Sequence, residues 1–358
     1  MRPLKVALES TVLLSSDKGA LHKKGIYRYS YNLAEALLKQ KDLSLDFIHR
    51  FDSFSSNYDI IHIPTLSSHF MGVPSSFKKL SKTQIIVTVH DLITWLFPEK
   101  INPHFHKYKQ TLSLESSNWV VCPSEHTKTD LIQHFNFPKD QIFVTPLYIN
   151  EKLFYRNLDH SVLQKYLIPN QPYLIYVGRI EDRKGVELLI ESFKTFILDQ
   201  KIDDLNLVLV GTLTSKQIQY CYIKEIVEAK LEKRVIHILF AEDEDLKTLY
   251  SHAEAHCFFS EYEGFGYPLL EAMRCKTPSI CFKNSSIPEV VGDSAFFIED
   301  RSIESVCQTF IKFFKDKKLR EEKIEKGFER SFLFNQKQFT EKMLVAYHHI
   351  ANKCTFLL

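Results

Sequence analysis

The chain has 358 residues and a mass of 41.9 kDa, which is too long for one ordinary domain and suits two. Its 46 Lys and Arg nearly balance its 44 Asp and Glu, and this balance gives no general reason to expect nucleic-acid binding. Hydrophobic residues make up 44% of the chain, with only 10 Gly and 13 Pro. This composition predicts a packed globular protein and excludes collagen-like or Gly/Pro-rich disordered chains.

The N-terminus and the cysteines favour a cytosolic protein. Charges at Lys5 and Glu9 leave no room for the apolar core of a signal peptide, and no apolar run approaches the ~18–20 residues of a membrane span. The 7 cysteines are odd in number and form no CxxC pair. They therefore indicate buried, reduced thiols rather than disulfides or a metal site.

In chain order, the first half alternates short apolar strands with helical segments. Strands are predicted at Val6–Leu8, Ile60–Ile63, Ile85–Val89, Trp119–Cys122 and Ile142–Thr145. Several of these runs are continuously apolar, as expected for parallel strands that are buried on both faces. Before the second of them, Tyr29–Lys39 repeats apolar residues at helical spacing and predicts an amphipathic helix.

The second half repeats this alternation after a polar, proline-containing stretch over 150–171, which is the predicted domain boundary. Helices are predicted over Val186–Leu198 and, at the end of the chain, Asn335–Asn352. Two blocks of strand–helix alternation predict two doubly wound α/β domains, with the ligand site in the cleft between them. The predicted strands are Tyr173–Val177, Leu205–Val210, Val235–Leu239, Ala255–Ser260, Pro278–Phe282 and Ala295–Ile298.

The first candidate site is a basic loop that follows the strand Tyr173–Val177. The loop begins at Gly178, carries Arg179 and Lys184, and ends at Gly185, where the next helix begins. A guanidinium and an ammonium that converge beside helix amides suit a diphosphate. A solvated basic turn would contain the same residues, so the loop alone leaves both interpretations open.

The second candidate site is a glycine-containing loop between an apolar strand and a helix. Gly264 and Gly266 allow the backbone to approach a ligand closely, and Pro268 suits the first helical turn. Glu263 and, eight residues on, Glu271 provide carboxylates that can accept hydrogen bonds from sugar hydroxyls. Alternatively, Glu263 is a surface charge and Glu271 a carboxylate favoured by the helix N-terminus.

Weaker candidates lie in the first half. His90 follows the strand Ile85–Val89, at the end where an α/β domain places functional side chains. A lone histidine can equally be structural, and His62 is a weaker candidate of the same kind. Gly25 opens a helix whose backbone amides could contact a phosphate, although one glycine is a weak signal.

Several common catalytic motifs are absent from the sequence. It contains no GxGxxG, GxxxxGK[ST], HExxH or GxSxG motif. Dehydrogenase, P-loop ATPase, zincin and α/β-hydrolase functions therefore lose support.

Taken together, the motifs resemble glycosyltransferase family 4. The Glu-x7-Glu spacing of Glu263 and Glu271 is similar to that family's best-known signature, and the similarity extends in family order over nearly the whole chain. The resemblance implies a GT-B fold, in which two Rossmann-like domains face a cleft. The similar segments are Gly25–Tyr29, Val89–Ile93, Pro123–Lys128, Gly178–Gly185, Glu263–Ala272 and Ser285–Gly292.

The resemblance also implies domain roles and residue roles. Residues 1–160 would bind the acceptor, residues 171–334 would bind the nucleotide-sugar donor, and the helix within 335–358 would pack back on the N-terminal domain. The catalytic group would comprise Arg179 and Lys184 at the donor diphosphate, Glu263 at the donor sugar, and His90 lining the sugar pocket. The donor-binding positions would be Gly25 at the phosphates, Glu271 at the ribose, and Gly178, Gly264, Phe265 and Gly266 along the loops.

The activity implied is the retaining transfer of a hexose, with mannose favoured, from a GDP- or UDP-linked sugar to a hydroxyl group. The acceptor would be a glycan or a lipid-linked sugar in lipopolysaccharide, O-antigen or capsule synthesis, with no nucleic-acid partner. No cofactor or metal is expected, because Arg179 and Lys184 supply positive charge and no DxD pair stands at a suitable strand end. Another GT-B enzyme, such as a sugar-nucleotide epimerase, and a non-catalytic nucleotide-sugar-binding protein are the alternatives.

A charge difference between the halves suggests where the protein could act. Residues 1–150 carry a net charge of +4 and the remainder −2. The basic half could favour an acidic acceptor or peripheral contact with the anionic cytoplasmic face of the membrane, and scattered surface lysines are the alternative interpretation. The basic residues that cluster most closely in sequence are Lys78, Lys79, Lys107 and Lys109.

Overall fold

The computed structural model describes residues 2–14, 25–49, 57–65, 82–97, 111–213, 226 and 231–355. The chain forms two compact units. The first comprises Met1–Tyr148 together with Gln336–Leu358, and the second comprises Ile149–Asn335. The lysines at 78, 79, 107 and 109 lie outside the described residues.

The first unit contains a parallel sheet of six strands in the order β2-β1-β3-β4-β5-β6. Apolar side chains are buried on both faces of its inner strands, and those of one face, including Ile61, Ile85 and Val120, form a single core cluster. The strands are β1 Leu4–Glu9, β2 Leu43–Ile48, β3 Ile60–Ile63, β4 Gln84–Thr88, β5 Trp119–Cys122 and β6 Ile142–Val144. The helices with bounds inside the described ranges before the second unit are α1 Thr11–Leu14, α2 Gly25–Leu38, α3 Ile93–Leu96 and α4 Glu125–Phe135, and residues 111–115 are also helical.

The second unit contains another parallel six-stranded sheet, in the order β12-β11-β10-β7-β8-β9. Its strands are β7 Tyr173–Val177, β8 Asn206–Val210, β9 Val235–Ile238, β10 Ala255–Phe258, β11 Ser279–Phe282 and β12 Phe296–Ile298. Its helices are α5 Ser161–Lys165, α6 Val186–Asp199, α7 Asp243–His252, α8 Tyr267–Arg274, α9 Ile287–Val291, α10 Ile303–Lys315 and α11 Lys317–Ser331. The chain then enters α12, Gln336–Thr355, which is grouped with the first unit.

The strand order of the second unit determines where a ligand would bind. The chain runs outward from β7 through β8 to β9, then returns to pair β10 against the other side of β7. This reversal creates a crevice beyond the carboxyl ends of β7 and β10, which is the usual ligand position in open α/β sheets. Both candidate loops of the second unit leave the sheet at this point.

The predicted α/β fold is confirmed, and most strands agree with the sequence prediction to within two residues. The edge strand β2 was not predicted, although Leu43–Ile48 reads LSLDFI and alternates apolar and polar residues; it lacks the continuous apolar run of the inner strands. An edge strand pairs on one side only, so its composition is less constrained than that of an inner strand. The three long predicted helices are present as α2, α6 and α12.

The division between the units lies earlier in the chain than the sequence suggests. Residues 149–160, expected in the first domain, are grouped with the second unit. Phe154 is buried there, and the Asn157 amide donates to the Ser251 hydroxyl oxygen over 2.9 Å. Because this stretch is polar in composition, its sequence does not indicate these contacts. Within the described ranges, no helix combines the length and apolar character needed to cross a membrane.

Candidate active site

The loop after β7 is held in a tight conformation by two glycines. At Gly211, after β8, an added Cβ would lie 1.8 Å from the Gly178 carbonyl oxygen, so the loops after β7 and β8 pass in backbone contact. Gly185 has a φ of +65°, and an added Cβ there would lie 2.7 Å from the carbonyl oxygen of Phe259. The loop that carries Arg179 and Lys184 is therefore fixed at both ends.

We expect Gly185→Ala to destabilise the protein by about 2–4 kcal/mol, because alanine would be strained at positive φ and its methyl group would strike backbone. Urea unfolding monitored by circular dichroism would measure this loss. The control is Gly327→Ala, whose new methyl group would meet only side-chain atoms, the nearest at 3.3 Å. Equal unfolding midpoints for the wild type and Gly185→Ala would show that the loop tolerates displacement.

Five charged side chains form a chain of alternating sign, which we call the charge chain: Arg179, Glu181, Arg183, Glu263 and Lys184. Glu181 lies 3.6 Å from Arg179 Nη2 and 2.5 Å from Arg183 Nη2. Arg183 Nη1 lies 3.3 Å from Glu263 Oε1, which also accepts a hydrogen bond from Lys184 Nζ. Three cations and two carboxylates give this chain a formal net charge of +1.

The members of the charge chain differ in exposure. Arg183 and Glu263 are buried, Lys184 is nearly so, and the Arg179 side chain is 63% exposed. Burial alone would raise the pKa of Glu263, but Lys184 and Arg183 outweigh it and hold that pKa below its usual value. Glu263 is therefore an ionised carboxylate at neutral pH.

The loop after β10 is positioned by three consecutive side chains that follow β11. The Asn284 amide donates to the Ser260 carbonyl over 3.2 Å, and Ser285 Oγ accepts from the Glu263 amide over 3.0 Å. The Ser286 hydroxyl donates to the Glu263 and Phe265 carbonyls, over 2.8 and 3.0 Å. These bonds orient the backbone of Glu263 independently of its ion pairs.

Three further residues of the predicted donor site lie outside the charge chain. Phe265 is buried and packs against Phe334, with ring centroids 5.6 Å apart, so its side chain anchors the loop. Gly266 has a φ of +107° and immediately precedes α8. Glu271, on α8, is buried and accepts a hydrogen bond from the Tyr250 hydroxyl of α7 over 3.1 Å.

The first unit places His90 beside a buried hydrogen-bond network. His90 Nε2 donates to the Pro64 carbonyl over 2.9 Å, and the His90 ring packs edge-on against Tyr29 at 4.6 Å. Burial lowers the pKa of His90 to about 4 despite this hydrogen bond, so the ring is neutral at pH 7. Gly25 is the exposed first residue of α2.

His62 is the centre of that network. Its Nδ1 lies 2.6 Å from the Tyr347 hydroxyl of α12, and its Nε2 lies 2.8 Å from Thr88 Oγ1. Thr88 Oγ1 in turn lies 2.9 Å from the Tyr29 hydroxyl. The network ties α12 and α2 to the strands β3 and β4, so His62 has a structural role in this unit.

The protein is expected to lose stability in mild acid through His62. Burial, assisted by the neighbouring His90, lowers the folded-state pKa of His62 to about 3. Because this pKa lies below the unfolded value of about 6.5, the unfolded chain binds more protons between these limits. Stability is therefore complete above about pH 6.5 and falls with pH, by up to about 1.4 kcal/mol per pH unit for one histidine.

Urea unfolding at pH 7, 6 and 5 would measure this dependence in the wild type and in His62→Gln. Glutamine can hydrogen-bond but does not titrate, so we expect the variant to be less stable at pH 7 and less sensitive to pH. His90 and the buried His256, whose pKa is lowered to about 3 by burial, leave part of the slope in both proteins. An unchanged slope in His62→Gln would contradict the assignment.

Sequence reasoning missed two members of the charge chain, Glu181 and Arg183. The only signal was the alternation Arg179, Glu181, Arg183 in the loop, because the partner of Arg183 lies 80 positions further along the chain. Lys184 and Glu263, which were predicted separately, are brought into contact. Among the described residues, no group of three or more His, Cys, Asp or Glu side chains is arranged to hold a metal ion.

Comparison with known proteins extends these observations. A family model described as "Glycosyltransferase Family 4" matches residues 9–152, and one described as "Glycosyl transferases group 1" matches residues 161–330. The chain is 28% identical over 268 residues to the O-antigen chain mannosyltransferase B of Escherichia coli, covering 73% of this chain and 69% of that protein. It is 25% identical over 198 residues to a probable sucrose-phosphate synthase of Thermosipho melanesiensis, covering 52% of this chain and 44% of that protein.

Two solved structures share the fold over almost their full length. Sucrose-phosphate synthase from Thermosynechococcus elongatus aligns with a TM-score of 0.73 and 20% identity, covering 97% of this chain and 98% of the other. Anabaena HepE in complex with UDP and glucose aligns with a TM-score of 0.75 and 16% identity, covering 95% and 98%. Since the two family models match successive stretches that together include most of the chain, the protein is an enzyme of the GT-B glycosyltransferases, with a family 4 region followed by a group 1 region.

Proposed function

We propose that this enzyme transfers a hexose from a nucleoside-diphosphate sugar to a hydroxyl group, with retention of the anomeric configuration. The observation that carries this proposal is the charge chain beyond the carboxyl ends of β7 and β10. It combines cations that can bind a diphosphate with an ionised carboxylate that can bind sugar hydroxyls. A ligand position at a strand-order reversal is the usual one for nucleotides in such sheets.

The proposed chemistry follows from the charges. Cleavage of the bond between the anomeric carbon and the phosphate oxygen leaves negative charge on the departing diphosphate. Lys184 and Arg179 would stabilise that charge more in the transition state than in the ground state, without a metal ion. Glu263 would hold the sugar hydroxyls and stabilise positive charge at the anomeric carbon. The acceptor hydroxyl would attack from the face that the diphosphate leaves and pass its proton to it.

The names of two relatives support mannose as the sugar that this enzyme transfers. Escherichia coli and Salmonella typhimurium relatives carry the names O-antigen chain mannosyltransferase B and RfbU, at 28% and 24% identity. A GDP- or UDP-linked donor and a glycan or lipid-linked acceptor, in O-antigen or related polysaccharide synthesis, therefore form the first hypothesis to test. In this hypothesis His90 would line the sugar pocket and Glu271 would contact the ribose. A cytosolic location with peripheral membrane contact stays a prediction.

A donor screen with purified protein tests this function. Nucleoside diphosphate release would be measured in EDTA with GDP-mannose, UDP-glucose, UDP-galactose and UDP-N-acetylhexosamines, with and without short glycan acceptors. We expect release from one donor and formation of a glycosylated product of the same anomeric configuration. An altered nucleotide sugar without release would indicate an epimerase, and binding without turnover would indicate a non-catalytic protein.

A further inference from the structure

We propose that Arg183, which no sequence motif singled out, is a positioning residue for the donor site: it holds Glu263 in place and keeps Lys184 and Arg179 available to the diphosphate. This inference rests on the proposed function. In this role Arg183 helps to assemble the site and does not itself touch the substrate.

The contacts of Arg183 join the two loops of the site. Its backbone carbonyl accepts a hydrogen bond from the Glu261 amide over 2.9 Å. Its Nη1 donates to the Tyr262 carbonyl and to the Glu263 carboxylate, the latter over 3.3 Å. Three consecutive residues of the loop after β10 therefore bind one arginine of the loop after β7. These hydrogen bonds fix the position of Glu263 relative to Lys184.

Charge gives Arg183 a second effect. It shares the negative charge of Glu181 with Arg179 and that of Glu263 with Lys184. Without Arg183, each carboxylate would be compensated by one remaining cation alone, and the net charge would fall from +1 to zero. Arg179 and Lys184 would then bind a diphosphate less strongly, because each would be neutralised by its own carboxylate.

Lysine cannot reproduce these contacts. A guanidinium presents donors in several fixed directions, and Arg183 uses two of its nitrogens on three acceptors. An ammonium on a flexible stem carries the same charge but cannot reach Glu181, Glu263 and the Tyr262 carbonyl together. The geometric and the electrostatic effects of Arg183 can therefore be separated by substitution.

Three variants separate these effects, with Arg234→Lys as the matched control: Arg183→Lys, Arg183→Met and Arg183→Met combined with Glu263→Gln. Arg234 is a partly buried arginine whose contacts are the Ile202 and Leu205 carbonyls, before the amino end of β8 and far from the site. For each variant, the melting temperature, the binding of GDP and UDP by calorimetry, and kcat and KM for the donor would be measured.

We expect Arg183→Lys to bind the nucleoside diphosphate within about 3-fold of the wild type but to lose about 10–100-fold in kcat, because charge is kept and geometry is lost. Arg183→Met should weaken nucleoside diphosphate binding by about 10-fold or more. Adding Glu263→Gln to it should restore most of that binding without restoring kcat. If Arg183 only stabilised the fold, Arg183→Lys would not lose kcat while keeping nucleoside diphosphate binding. Nor would Glu263→Gln restore the binding that Arg183→Met loses.

Wild-type kcat in Arg183→Lys would overturn the inference, and so would wild-type binding in Arg183→Met or no restoration by Glu263→Gln. If Arg183→Met does not fold, the kcat of Arg183→Lys still decides. Failure of the proposed function is distinguishable, because the wild type itself would then neither bind GDP or UDP nor turn over a donor, and the inference would fall with it.

Discussion

Lys184→Ala is expected to lower donor turnover by about 10²–10³-fold, the range found when one fixed donor to a developing anion is removed. The side chain of Lys184 is 13% exposed, and its ammonium both pairs with Glu263 and lies 5.5 Å from the centre of the Phe258 ring. The ammonium is therefore held in place before the diphosphate departs. Its removal takes positive charge from the site, and no other described cation contacts Glu263 except Arg183.

The matched control for this variant is Lys194→Ala. Lys194 lies on α6, in the same unit, and makes a partly exposed ion pair with Glu191 at 3.7 Å. Such pairs contribute about 0–1 kcal/mol, so neither stability nor turnover should change appreciably. Steady-state release of nucleoside diphosphate and thermal unfolding would be measured on both variants. Similar turnover in Lys184→Ala and Lys194→Ala would remove Lys184 from the mechanism.

Glu263→Gln is expected to separate binding from turnover. Glutamine preserves the shape of the side chain but removes a negative charge that Lys184 and Arg183 compensate. The site becomes more positive, so GDP or UDP should bind as well as before or more tightly. Turnover should fall by about 10²–10³-fold, because the carboxylate no longer holds the sugar or stabilises its positive charge in the transition state.

Glu254→Gln provides the comparison. Glu254 is a partly exposed carboxylate that lies 3.5 Å from Arg320, before the amino end of β10 and therefore away from the site. Calorimetry with GDP and UDP, together with donor kinetics, would be carried out on both variants. Unchanged kcat in Glu263→Gln, or equal losses in both variants, would contradict the role proposed for Glu263.

The sequence predicts those parts of the fold that depend on local composition. Inner strands such as β5 and β7 are continuously apolar because parallel strands of this kind are buried on both faces, and this pattern is readable without a structure. The edge strand β2 has no such continuous run, because Ser44 and Asp46 alternate with its apolar residues; that alternation also indicates a strand, and a search for continuous apolar runs misses it. The sequence also predicts where the candidate loops leave the sheet, since the functional loops of α/β sheets follow the carboxyl ends of strands.

The interactions inside the site were not predictable in the same way. Arg183 contacts Glu263 across 80 positions, and that contact depends on how closely two loops approach at Gly185 and Phe259. A one-dimensional pattern identifies charged residues but not which of them pair. For the same reason the sequence makes His62 a candidate functional residue, although Thr88 and Tyr347, far from it in sequence, bind both of its ring nitrogens.

The most direct measurement is a calorimetric titration of the wild-type protein and Lys184→Ala with GDP and with UDP, in buffer containing EDTA. We predict that one nucleoside diphosphate binds the wild type with a 1:1 stoichiometry and that Lys184→Ala weakens this affinity by about 10-fold or more, the loss expected for a charge-assisted contact to phosphate. Absence of binding by both nucleotides, or equal affinity in the two proteins, would contradict the assignment of the charge chain as the donor diphosphate site.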